Sequence, residues 1–258
     1  MQIRKSILGV AIALAFMGMV GLSQASLVTI GTAEYDGNVY KLIYDDDDTG
    51  HDGGGLVWLD YSRAGRFTLW VTQKAWAETV GSDLTVTLFP GYTTDIDWTT
   101  GWRLPDTVDG SYVSGYEGDP DNDGFYSYTW GYNLANSEMG HLFYAELGNA
   151  GYRNTDGTWN VPLPPAPDYF LQNKGEFENL YADVYYSGTL VASHSGYAWS
   201  FMMTYGSQGE YSTGSLHDAY AMAVHPGQVS TVPLPQAVLM LGSGLLGLVA
   251  IRRRKKAA

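Results

Sequence analysis

The densest grouping of ligand-type oxygens in this sequence is Asp119-Pro120-Asp121-Asn122-Asp123-Gly124. Carboxylate and amide oxygens at alternate positions, followed by a glycine that permits a sharp turn, suit a hard cation such as calcium. Asp119, Asp121 and Asp123 are therefore the candidate metal ligands, and calcium the candidate cofactor. Counted from Asp119 as a calcium-loop motif, the closing position holds Trp130 instead of a bidentate glutamate, so Glu117 or Glu138 would have to close the site. An ordinary solvated loop is the alternative use of such a stretch. The run Asp45 to Asp48 is a second candidate, because like charges packed so closely must be relieved by a cation or by full hydration.

Other chemistries are thinner. The five histidines, at 51, 141, 194, 217 and 225, form no HExxH and no pair at metal-binding spacing. His141 and His225 are expected to be hydrogen-bonded structural residues. The chain has no cysteine, which removes thiol nucleophiles, thiolate zinc sites and disulfides. It has no G-x-S-x-G elbow and no glycine-rich phosphate loop with lysine. Carboxylate pairs for glycoside hydrolysis stay open, since any two of 27 acids can meet in space. No residue is assigned a catalytic role. The remaining signal is aromatic: 20 Tyr and 8 Trp suit stacking on sugar rings, with the packing of strands as the competing use.

These residues sit between two distinctive ends. Arg4 and Lys5 precede an uncharged apolar run, Ile7 to Leu22, and Ser23-Gln24-Ala25 places small residues at the −3 and −1 positions of a cleavage site. That order predicts a secretory signal peptide over 1–25, cut after Ala25. At the other end, Val232-Pro233-Leu234-Pro235 precedes an apolar run, Ala237 to Ile251, and the basic cluster Arg252 to Lys256. The run is short for a permanent span of about 20 residues. The basic cluster would stay cytoplasmic, leaving the domain outside the inner membrane. Half of the 14 Lys and Arg lie in these ends, so seven cations face 27 carboxylates in the middle, a net charge of −20. Such a surface repels nucleic acid and anionic lipid.

The middle must position whatever it binds by burial alone, and its length is enough for one sizeable core. Val28–Ile30 and Val39–Tyr44, separated by Asp36-Gly37, predict a hairpin. LVWLD reads as a short strand. Leu69, Gln73, Trp76 and Val80 recur at helical spacing, which predicts a helix over 68–80 ended by a left-handed Gly81. LTVTLF (84–89) is a strand, and 106–135 a long decorated loop. NSEMGHLFYAELGN predicts the strongest helix, capped by Ser137, favoured by Glu138 near its positive end and stopped by Gly148. Met139, Leu142, Phe143 and Leu147 share its core face. The proline-rich 159–170 reads as an extended surface loop, followed by strands near Tyr185-Tyr186, over 197–203 and over 219–225. Two helices among many strands predict an α+β domain.

The order of LIYDDDDTGHDGGGLVWLDY, GWRLP, SEMGHLFYAELGN, YYSGT and AWSF…YAMAVHPG resembles secreted bacterial proteins of the DUF1566, or Lcl C-terminal-like, type. The tail resembles the PEP-CTERM sorting signal processed by an exosortase, although Leu234 stands where that motif has Glu. The resemblance implies a compact C-type-lectin-like fold over 26–229 with two main helices and antiparallel strands, a signal helix before it and a hydrophobic sorting helix within 230–258. It maps a core motif onto Trp102, Arg103, Leu104 and Pro105, with Trp102 and Leu104 filling core, Pro105 ending a strand and Arg103 pairing with a carboxylate. Tyr186 stands where the pattern has Trp. Formylglycine-generating chemistry, which related folds perform with cysteines, is excluded here.

The expectation is a non-enzymatic protein of an exopolysaccharide-producing Gram-negative bacterium, at the cell surface or in a biofilm-type matrix. Its precursor would be held transiently in the inner membrane, with the secretion machinery and an exosortase as processing partners. Loops 106–135 and 155–170 would contact polysaccharide or a matrix protein. A carboxylate-dependent polysaccharide hydrolase and a purely structural matrix component are the alternatives.

Overall fold

The computed structural model describes residues 27–46, 54–65, 68–107, 130–134, 137–154, 158–214 and 219–232. Its elements run β1 (Val28–Tyr35), β2 (Asn38–Asp45), β3 (Leu56–Leu59), α1 (Trp70–Thr79), a 3₁₀ turn (Val80–Asp83), β4 (Thr85–Leu88) and β5 (Tyr92–Thr94). They continue with β6 (Trp130–Tyr132), α2 (Glu138–His141), a π-helical turn (Leu142–Glu146), β7 (Val184–Leu190), β8 (Tyr197–Met202), β9 (Ser207–Ser212), β10 (Val224–Pro226) and β11 (Val229–Thr231). The architecture is mixed and mostly antiparallel strand, with two short helices: an α+β chain.

The hairpin forms as expected, β1 against β2 around Asp36-Gly37. It lies inside a five-stranded sheet of order β10-β3-β2-β1-β4. A four-stranded sheet has the order β6-β9-β8-β7, and β11 pairs with β5 in a separate ribbon. Successive side chains of a strand point to opposite faces, and here both faces are apolar. On β2, Leu42 and Tyr44 enter one buried cluster with α1, Trp102, Leu104 and Tyr186. Ile43 enters a second cluster with Leu56, Trp58, Met139, Leu142, Phe143, Phe170 and Phe201. Tyr185 and Tyr186 divide in the same way across β7. This explains why β8 buries Ala198, Trp199, Ser200 and Phe201 in succession, where the sequence shows large residues alternating with small ones.

Several boundaries differ from expectation for local reasons. The first helix spans Trp70–Thr79 and runs into the 3₁₀ turn, with no left-handed residue at Gly81. Gly81 serves close approach instead: a Cβ there would lie 2.6 Å from both the Trp102 ring and the Trp98 carbonyl. Within 106–135, Trp130–Tyr132 is a strand that pairs with β9. Of 219–225, only Val224 and His225 enter a strand, β10, while Tyr220 and Ala221 make single bridges to Tyr185 and Arg63. β5, β9 and β11 carry little apolar alternation and were not anticipated. β11 also straddles the expected boundary at 229/230. The 159–170 segment is extended only in part: it bends at Pro162 and turns over 166–170, where Tyr169 takes a left-handed φ of 46°, and its one bridge joins Trp159 to Arg153.

Candidate functional site

Trp102 and Leu104 are buried, and Arg103 bridges to Val224 through paired backbone hydrogen bonds of 3.0 and 2.8 Å. The guanidinium meets Glu138 as a two-pronged fork: Nη1 donates to Oε2 at 2.7 Å and Nη2 to Oε1 at 2.6 Å. The Asp106 amide donates to the same carboxylate at 2.7 Å. The Pro105 carbonyl accepts from Gly188 at 2.8 Å. Arg103 is thus committed to holding the start of α2 against the sheet and has no fork left for a ligand. Ser137 caps that start by accepting from the Gly140 amide at 3.0 Å.

The same helix leads into an open cleft of about 320 Å³. Leu147, Pro164 and Phe170 give it apolar walls, and Asn149, Asn160, Gln172 and Asn173 give it amides. Gly148, at φ 61°, stops the helix and turns the chain along the rim. Asn149 and Asn173 lock the wall: the Asn149 amide donates to the Asn173 carbonyl and the Asn173 backbone N–H to Asn149 Oδ1, both at 2.8 Å. Asn160 and Gln172 use their NH₂ groups on Gly151 and Tyr169, leaving Oδ1 and Oε1 without donors among the described residues. Tyr152 links this cleft to an aromatic cluster, 4.6 Å from Trp159 and 5.6 Å from Phe170 between ring centroids. Trp159 is 41 % exposed, but the Arg153 guanidinium sits 4.0 Å over its ring, so an edge rather than a bare face meets solvent. Among the described residues, none that lines the cleft is charged.

A second constellation is fully internal. Asp45 at the end of β2, His141 at the end of α2 and Glu146 at the end of the π turn bring one ligand atom each within 4.8 Å of the others. Asp45 is 1 % exposed and the Glu146 side chain 0 %. His141 Nε2 lies 3.3 Å from Glu146 Oε1. Sequence reasoning picked out Asp45 only as part of an acidic run, gave His141 a structural role and missed Glu146. The reason is geometric. Residues five apart on an α-helix diverge by about 140°, so His141 and Glu146 do not look like a pair; the wider π turn, whose Leu147 amide donates to Leu142 at 2.9 Å, brings them to one side.

Set against protein-family models, curated proteins and solved structures, the chain matches none of them. The site is accordingly read from geometry. His225 fits its structural role: its ring nitrogens lie 2.6 Å from the Pro226 carbonyl and 2.8 Å from that of Thr100, and its ring packs edge-on against Trp102. It borders a polar surface groove of about 410 Å³ with Asp95 and Asp97. Hydrogen bonds from Thr99 hold the Asp97 carboxyl below the ordinary value. Asp119, Asp121, Asp123, Ala25, Pro233, Leu234 and Pro235 lie outside the described residues. Val232 is exposed, and its amide donates to Gly91 at 2.8 Å. No helix among the described residues is long and apolar enough to cross a membrane.

Proposed function

We propose that this chain is an exported cell-surface or matrix protein whose lectin-like domain binds a neutral glycan in the cleft beside Phe170. The cleft carries the reading. Sugar rings present apolar C–H faces and a rim of hydroxyls; an aromatic and proline wall answers the first, and carboxamides with free acceptors answer the second. The uncharged lining among the described residues supports binding over hydrolysis, which needs a pair of carboxylates flanking the scissile bond. The signal-like start and the PEP-CTERM-like end supply export and exosortase processing, and the domain between them keeps the DUF1566-like order of motifs.

Glycan-array binding by the secreted domain tests the proposal. Asn160→Ala combined with Gln172→Ala removes the two free acceptors and is expected to weaken binding about ten-fold, near 1.4 kcal/mol for the pair. Equal binding by wild type and variant would move the site elsewhere. Release of oligosaccharide without retention would make the protein a hydrolase, and neither binding nor turnover would leave a structural matrix component. Mass spectrometry of secreted material should place the C-terminus near Val232 to Pro235. Secreted protein that retains Arg252 to Lys256 would refute the sorting assignment.

A further inference from the structure

We propose that Asp45, His141 and Glu146 form an interior binding site for a first-row divalent metal ion, zinc by its ligand chemistry. The inference is independent of glycan binding. Its central observation is Glu146: the side chain is wholly buried, and both carboxylate oxygens lack a hydrogen-bond donor among the described residues. The fold treats other buried carboxylates differently. Asp60 accepts from the Glu178 and Asn179 amides at 3.0 and 2.9 Å, and Glu138 takes the Arg103 fork. An anion removed from water without donors is strongly penalised, so a cation is the natural partner for Glu146.

The geometry names the cation's class. An imidazole nitrogen with two carboxylates is a mixed N/O set, which suits zinc, whereas calcium takes oxygen ligands. Tetrahedral zinc with bonds of 2.0–2.2 Å separates its ligand atoms by about 3.4 Å. His141 Nε2 and Glu146 Oε1 are 3.3 Å apart, long for a charge-assisted hydrogen bond and right for two ligands of one ion. Asp45 completes the set within 4.8 Å from the strand side. A tetrahedron built on these three leaves one position for water. The ion would pin the end of β2 to the helix that enters the cleft, a structural role. The competing arrangement is a proton shared between His141 and Glu146.

The test is zinc add-back to chelator-treated full-length domain. Wild type should take up one equivalent, and zinc a hundred-fold above its Kd should raise Tm by about 5–10 °C. Calcium at the same concentration should not. Glu146→Gln keeps the shape of the side chain and should cut zinc affinity at least ten-fold with loss of the Tm shift, while His194→Ala, at a half-exposed histidine paired with Glu210, should keep both. If Glu146→Gln does not fold, cobalt(II) loading of wild type should give the visible absorption of a tetrahedral site. No uptake by wild type would assign the pair to a shared proton and overturn the proposal. A response to calcium alone, or an unchanged zinc shift in folded Glu146→Gln, would overturn it equally.

Discussion

Glu138 and Glu146 stand on one continuous helical segment, both side chains fully withdrawn from water, and the fold provides for them in opposite ways. Glu138 receives a guanidinium fork and a backbone amide from the segment 103–106. Glu146 receives no hydrogen-bond donor among the described residues and faces His141 and Asp45 instead. The first arrangement is complete in itself. The second is completed by something added, and this contrast separates a structural ion pair from a binding site more clearly than burial or acidity alone.

The contrast can be broken by substitution. Arg103→Met should cost about 3–5 kcal/mol, because it strands Glu138 in the interior without its partner; denaturant unfolding would measure it, and a loss below 1 kcal/mol would remove Glu138 from the self-sufficient class. Alkaline titration probes the same cores. Burial raises the phenols of Tyr144 and Tyr185 well above the ordinary value and pushes Tyr186 up to about 12. Above about pH 10 the unfolded chain releases these protons and the folded one keeps them, so stability falls as pH rises. For Tyr186 alone the loss approaches 2–3 kcal/mol near pH 12, by order of magnitude. Unfolding midpoints followed with phenolate absorbance should show folded-state ionisation lagging; simultaneous ionisation from pH 10 in the folded protein would contradict the buried placement.

A smaller effect sharpens the helix start. Ser137→Ala removes the cap on the Gly140 amide and should cost about 1 kcal/mol, read as a lowered thermal midpoint. Smallest of all, Glu146→Gln in metal-free protein should be within about 1 kcal/mol of wild type, or more stable, because it removes a buried charge that has no donor to lose. A large destabilisation there would mean that the His141 contact already satisfies Glu146, and the two glutamates would then belong together.

What the sequence disclosed follows from the range of the forces involved. The β1–β2 hairpin, the Ser137 cap, the Gly148 stop and the core face of Met139, Leu142, Phe143 and Leu147 are set by neighbours a few residues apart, and all were legible. β9 and β11 were not, because polar segments such as Ser207–Ser212 become strands only through partners far along the chain. Arg103 was expected to meet a carboxylate, but its identity as Glu138 depends on packing across 35 residues. The Asp45–His141–Glu146 cluster was hidden twice over: it joins two distant elements, and its helical half relies on a π turn that α-helical periodicity conceals. The amide-lined cleft has the same character. Only its proline-rich rim was visible as a segment.

The final ribbon bears on how this domain would carry a load. Beyond β10 the chain crosses to β5 as β11, a three-residue pairing separate from both larger sheets, with Val232 tied to Gly91 at its end. Tension applied to the chain after Val232 therefore reaches this ribbon first. With so few pairs it would peel before force reached the five-stranded sheet, leaving the two cores and the cleft intact. Under such tension the ribbon would act as a mechanical fuse, giving way while the larger sheets keep their pairing.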